Sequence, residues 1–136
     1  VDVNTVAAAC RTDGECRSYE PARVEEVTDG LRAAAKIAAA SEECVVRWEQ
    51  ETEFLAYQHG WDTPATQFIR SAMERAGITP LAVSTGGGSD ANVLNAKGVT
   101  AYNLGLGYQK PHSHHEVLPF AAFETARQLC RMLLTS

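Results

Sequence analysis

The chain has 136 residues, 45% apolar and 21% charged, an ordinary globular composition that fits one domain or two small ones. Its formal net charge is -5, and its lysines and arginines are scattered, so it offers no electrostatic footprint for nucleic acid or an anionic membrane surface. No stretch approaches the roughly 18 consecutive apolar residues that span a bilayer, and the first residues form no basic and apolar leader; the expectation is a soluble, cytoplasmic protein.

Residues 1–6 read as the middle of a strand and not as a solvated terminus, so the sequence is expected to be a fragment of a longer protein. Residues 4–18 alternate loosely and carry threonine, valine and cysteine, which predicts a strand with Gly14 as a bulge or close-approach point. Pro21 suits the first turn of a helix, and Val24, Val27, Leu31, Ala34, Ala35 and Ala38 continue it as a narrow apolar stripe at three- and four-residue spacing. Residues 44–53 alternate again, with Val46 and Trp48 opposing Val45, Arg47 and Glu49, and predict a second strand. The result is a strand–helix–strand unit of about fifty residues, marginal alone and in need of further strands. The four cysteines, Cys10, Cys16, Cys44 and Cys130, form no Cys-x-x-Cys pair and are expected to be buried, reduced structural thiols.

Residues 54–63 have no clear period and carry a His-Gly-Trp-Asp turn, which places a boundary between structural units near here. Thr63 and Pro64 open a helix with Phe68, Ile69, Ala72, Met73 and Ala76 on its apolar face and Gly77 closing it. A short strand at 81–83 leads into the turn Thr85-Gly86-Gly87-Gly88-Ser89-Asp90, then a short helix through Val93 and Ala96 that ends at Gly98. Residues 99–104 predict another buried-type strand and residues 120–134 a helix, so the alternation of helices with short apolar strands indicates an α/β class.

Three features can carry chemistry. Gly86, Gly87 and Gly88 let backbone approach a ligand closely, and the helix start after Ser89 offers amide donors to an anion; a tight turn with Ser89 or Asp90 as helix cap accounts for the same residues. The run lacks the lysine followed by Ser or Thr of a Walker loop, and its glycines are consecutive where a dinucleotide fingerprint spaces them, which leaves nucleotide binding a weak alternative. His112, His114, His115 and Glu116 follow in a loop where imidazole can ligate a metal, although neighbouring side chains cannot all share one ion, and a surface cluster without a role is the competing account. Asn4 and Arg17, on the first predicted strand, can read a peptide amide and clamp a carboxylate, or can be surface residues with a salt-bridge partner.

Three segments in order resemble the C-terminal half of peptidase T-like (tripeptidase) enzymes of the dizinc aminopeptidase, carboxypeptidase and deacylase superfamily. They are Asn4-Thr5-Val6 with Gly14-Glu15-Cys16-Arg17-Ser18, the run from Gly86 to Gly98, and Asn103-Leu104-Gly105 with His112-Ser113 and Glu116. The resemblance implies that residues 1–52 are the later part of a lid and dimerisation domain of the strand–helix–strand, ferredoxin-like type, and that residues 53–136 are the last part of an α/β catalytic domain holding two zinc ions. It further implies His112 as a zinc ligand, Asn4 and Arg17 as lid contacts to the substrate, and Gly87, Gly88 and Ser89 as the pocket wall opposite. The implied function is hydrolysis of short peptides or N-acyl amino acids by metal-activated water, in a homo-oligomer, with the general base and the other metal ligands outside this chain. A non-catalytic binding or assembly module that retains the dimerising surface is the alternative. Ala7, His114, His115 and Tyr102 depart from the family pattern; a buried Tyr102 would need a partner for its hydroxyl.

Overall fold

The structure, a computed structural model, describes Asn4 and residues 7–135. Its helices are α1 (Pro21–Ser41), α2 (Pro64–Arg75), α3 (Asp90–Ala96) and α4 (Phe120–Leu134). Contacts divide the chain into two units, Val1–Thr52 and Glu53–Ser136.

In the first unit, Pro21 occupies the opening turn of α1, where a missing N–H is harmless and its fixed φ is already helical. The helix ends at Glu42, and Glu43 follows in the left-handed region at φ 54, with Cys44 N–H donating to Ala39 O at 2.8 Å. That is the glycine position of a Schellman ending, filled here by a residue with a side chain. The segment that returns from α1 is tied to it by Gln50: Arg32 Nη2 and Trp48 Nε1 both donate to Gln50 Oε1, at 3.1 and 3.2 Å. Arg32 also lies over the Trp48 ring at 5.6 Å. Thr28 is buried on this face and its hydroxyl donates to Val24 O. The covered side of α1 runs through Val24, Thr28, Arg32, Ala35 and Ala39, while Leu31, Ala34 and Ala38 of the expected stripe are exposed.

In the second unit, Thr63 caps α2 by accepting from Thr66 N–H at 3.3 Å, with Pro64 next. Gly77, at φ 73, ends the helix: its N–H donates to Glu74 O and Ile78 N–H donates to Met73 O. α3 ends the same way, with Gly98 at φ 80 donating to Asn95 O and Val99 donating to Leu94 O. The positive φ is why glycine stands at both sites. α2 packs on α4, burying Ala72 and Leu129. Between them and the segments around Val83 and Leu104 lies an open cavity of about 290 Å³ lined by Met73, Ile78, Leu81, Leu106, Ala126 and Leu129. On α4, the Arg127 guanidinium grips both oxygens of Glu124; that hydrogen bond, with the positive charge behind it, holds the carboxyl below the usual glutamate range.

The expected strands are where sequence and structure part. Among the described residues no strand ladder forms at 7–18, 44–53, 81–83 or 99–104, and the β structure is a single antiparallel bridge between Gln109 and Val117. Residues 1–3, 5 and 6, part of the segment that reads as the middle of a strand, lie outside the described residues. Among the described residues the architecture is helix-dominated, which corrects the expected strands, and the strand–helix–strand arrangement of the lid is not seen. The physical reason is that alternation marks a segment able to pair, while pairing needs a neighbour whose N–H and C=O groups face it. Alternation does persist in burial: Val46 and Trp48 are half-buried, and Val45, Arg47 and Glu49 are exposed. The cysteines are all free thiols, but Cys10, Cys44 and Cys130 are exposed and Cys16 is half-buried, which corrects the expectation of burial.

Candidate functional site

The glycine-rich turn is anchored by two asparagines, Asn92 and Asn103. Ser89 caps α3, its N–H donating to Asn92 Oδ1 at 3.0 Å while Asn92 N–H returns a bond to Ser89 O at 3.0 Å. Asn92 Nδ2 then donates to Leu55 O at 2.8 Å, and Asn103 Nδ2 to Ser89 Oγ at 2.7 Å. Asn95 joins the end of α3 to the next segment, donating to Ala91 O and Ala101 O and accepting from Ala101 N–H. These bonds fix the turn and use up some of the donors expected to meet an anion: Gly87 N–H is occupied by Thr85 Oγ1 at 3.2 Å and Ser89 N–H by Asn92. Gly88 has a steric reason as well, because a Cβ there would lie 2.6 Å from Cδ2 of Phe54.

Beside this turn is a cluster that sequence reasoning did not assemble. His59 Nε2 donates to Ala101 O at 2.9 Å, and its ring lies 4.1 Å from the ring of Tyr102. The carbonyl can only accept, so Nε2 carries the proton. Tyr102 shares hydrogen bonds with Thr66 Oγ1 at 2.8 Å and Thr63 Oγ1 at 3.3 Å, so the hydroxyl has the partner that its half-buried setting requires. Thr66, buried, also donates to Gly60 O. The only sequence signals were the unusual Tyr102 and the His-Gly-Trp-Asp turn, some forty residues apart.

The histidine loop closes on itself. Gln109 and Val117 exchange backbone hydrogen bonds at 2.9 and 3.2 Å, Ser113 Oγ donates to Lys110 O, and His115 N–H donates to Ser113 Oγ. Lys110 and His112 both have positive φ, 52 and 59, on either side of Pro111. His112 N–H donates to Glu116 Oε2 at 2.7 Å. The histidines of this loop are exposed.

Of the other candidates, Asn4 is an exposed turn residue, and Arg17 forms an exposed ion pair with Glu15 at 3.0 Å, a local contact that solvent screens. Both belong to the first unit, whereas Gly87, Gly88, Ser89 and His112 belong to the second. Metal fit can be judged from the donors: among the described residues no three histidine, cysteine or carboxylate side chains gather as one ion would need. His112 therefore fits a metal only as one ligand of a set completed by other residues. No helix among the described residues is long and apolar enough to cross a membrane.

Comparison with known proteins gives a consistent picture. The model of the family described as Peptidase family M20/M25/M40 matches residues 5–136. The uncharacterized protein YqjE of Bacillus subtilis (strain 168) is 29% identical over 105 residues, 77% of this chain and 28% of that protein. The peptidase T-like protein RB0614 of Rhizobium meliloti (strain 1021) is 36% identical over 78 residues, 54% of this chain and 19% of that protein. This chain thus spans less than a third of each relative. No solved structure matches it.

Proposed function

The chain belongs to Peptidase family M20/M25/M40, and we propose that it is the C-terminal part of a metal-dependent peptidase or amide hydrolase that acts on short peptides or N-acyl amino acids. The observation that carries this reading is the family match over residues 5–136, with a peptidase T-like relative 36% identical. Residues 1–52 are read as the later part of a lid and dimerisation domain, and residues 53–136 as the last part of the catalytic domain.

In this reading each part of the chain has a distinct task. Arg17 exchanges its exposed partner Glu15 for the substrate carboxylate, and Asn4 reads a peptide amide. Gly87, Gly88 and Ser89 form a pocket wall that Asn92 and Asn103 hold in place before substrate arrives, so little ordering is left for the binding step. His112 is the zinc ligand that this chain supplies. Zinc, when bound, polarises the scissile carbonyl and acidifies the attacking water. The remaining ligands and the general base come from a part of the longer protein outside these residues, and the complete protein works in the cytoplasm as a homo-oligomer.

Equilibrium dialysis against zinc, combined with peptide and N-acyl amino acid hydrolysis assays, tests this. The expected result is weak zinc binding that disappears in His112→Ala, with no turnover by this chain alone. Zinc binding indifferent to His112→Ala would remove the assigned ligand, and turnover by the purified chain would show that the general base lies within it.

A further inference from the structure

Glu116 has no part in the reading above, yet it makes the most specific contact in the histidine loop. We propose that Glu116 is a positioning residue: its carboxylate holds the His112 backbone in the left-handed conformation and so presents the His112 ring before any metal arrives. Four observations converge on it. His112 and Lys110 both sit at positive φ, a region disfavoured for residues with a Cβ. Lys110 precedes Pro111, whose ring restricts the residue before it further. Pro111 brings no N–H of its own, so the first donor after the turn is the His112 amide, and Glu116 Oε2 takes it at 2.7 Å, a short charge-assisted bond. Finally, the rest of the loop is already closed by Gln109 with Val117, by Ser113 with Lys110 and by Glu116 N–H to Ser113 O, so the carboxylate bond acts on His112 specifically and does not hold the loop shut by itself.

The contact is a backbone one and stands without a metal; its consequence for ligation rests on reading His112 as the zinc ligand. Two left-handed residues bracketing a proline are a strained turn, and such strain persists only where surrounding bonds enforce it. Without the Glu116 acceptor, the His112 backbone relaxes toward ordinary φ, and its ring points in a different direction.

The test uses ¹⁵N-labelled protein and amide hydrogen exchange, comparing the parent with Glu116→Ala and Glu116→Gln. In the parent the His112 amide is expected to exchange about tenfold more slowly than the amide of His114, the protection that one ordinary hydrogen bond confers. Glu116→Ala removes that protection while the Gln109 and Val117 amides stay protected; Glu116→Gln, which keeps an acceptor oxygen, retains most of it. Unchanged His112 exchange in Glu116→Ala overturns the proposal, as does equal loss in Glu116→Gln. A parallel titration with zinc alone, read on the histidine ring resonances, separates the two readings. His112 is expected to respond at lower zinc than His114 or His115 in the parent, and to lose that preference in Glu116→Ala. No preference in the parent, with exchange behaving as expected, leaves Glu116 as the positioning residue and removes His112 as the ligand.

Discussion

Tyr102 shows how a single hydroxyl organises its surroundings. It is bonded to Thr66 and Thr63 at the start of α2, while its ring lies tilted against His59, which is itself tied to Ala101. Replacing it with Phe keeps the ring contact and leaves the buried Thr66 hydroxyl with fewer partners. The expected loss is about 1 kcal/mol of unfolding free energy, read as a lower urea midpoint at unchanged slope. An unshifted midpoint would mean that water replaces the phenol without cost. The sequence announced half of this: Tyr102 stood out as bulky, with a hydroxyl in need of a partner, but nothing local pointed to Thr66, 36 positions away. The same limit applied to Asn103, whose bond to Ser89 spans 14 positions. His112 entered as an expectation from resemblance, while the Glu116 contact to its backbone amide had no signal in the sequence.

Helix ends were the most legible elements, because their chemistry is local. Pro21 and Pro64 open α1 and α2, and Gly77 and Gly98 close α2 and α3 at positive φ. The ending of α1 had no such signal, since Glu43 fills the left-handed position where glycine is usual. Glu43→Gly should therefore raise stability, by about 1 kcal/mol, and Gly77→Ala should lower it by a similar amount; thermal denaturation followed by circular dichroism would measure both. If both substitutions moved the melting temperature the same way, backbone strain would not be the term that decides these endings. The strands were not legible in the same sense. Alternation set Val46 and Trp48 apart from Val45, Arg47 and Glu49, and burial follows the same division, but a ladder belongs to two segments at once and one segment's pattern does not name its partner.

At the scale of the molecule, area is the informative quantity. The chain exposes 11507 Å². A folded monomer of this mass exposes about 6,900 Å², and counting the two units as separate bodies raises that only to about 8,300 Å². Large apolar side chains account for part of the surplus, including Leu81 and Val83, each about three-quarters exposed. Surfaces of this kind associate. Light scattering is expected to show this chain self-associating as concentration rises, and Leu81→Lys with Val83→Lys to reduce that association; a clean monomer at high concentration would refute the expectation. The histidine loop behaves differently because it depends on none of that surface. Its contacts join residues no more than eight positions apart, from Gln109 to Val117. Loops of about ten residues close in roughly 10–100 ns and hairpins form within about 10 μs, whereas α2 and α4 must find each other across more than forty intervening residues. The closure of the histidine loop is therefore a local event that does not wait for the helices to meet.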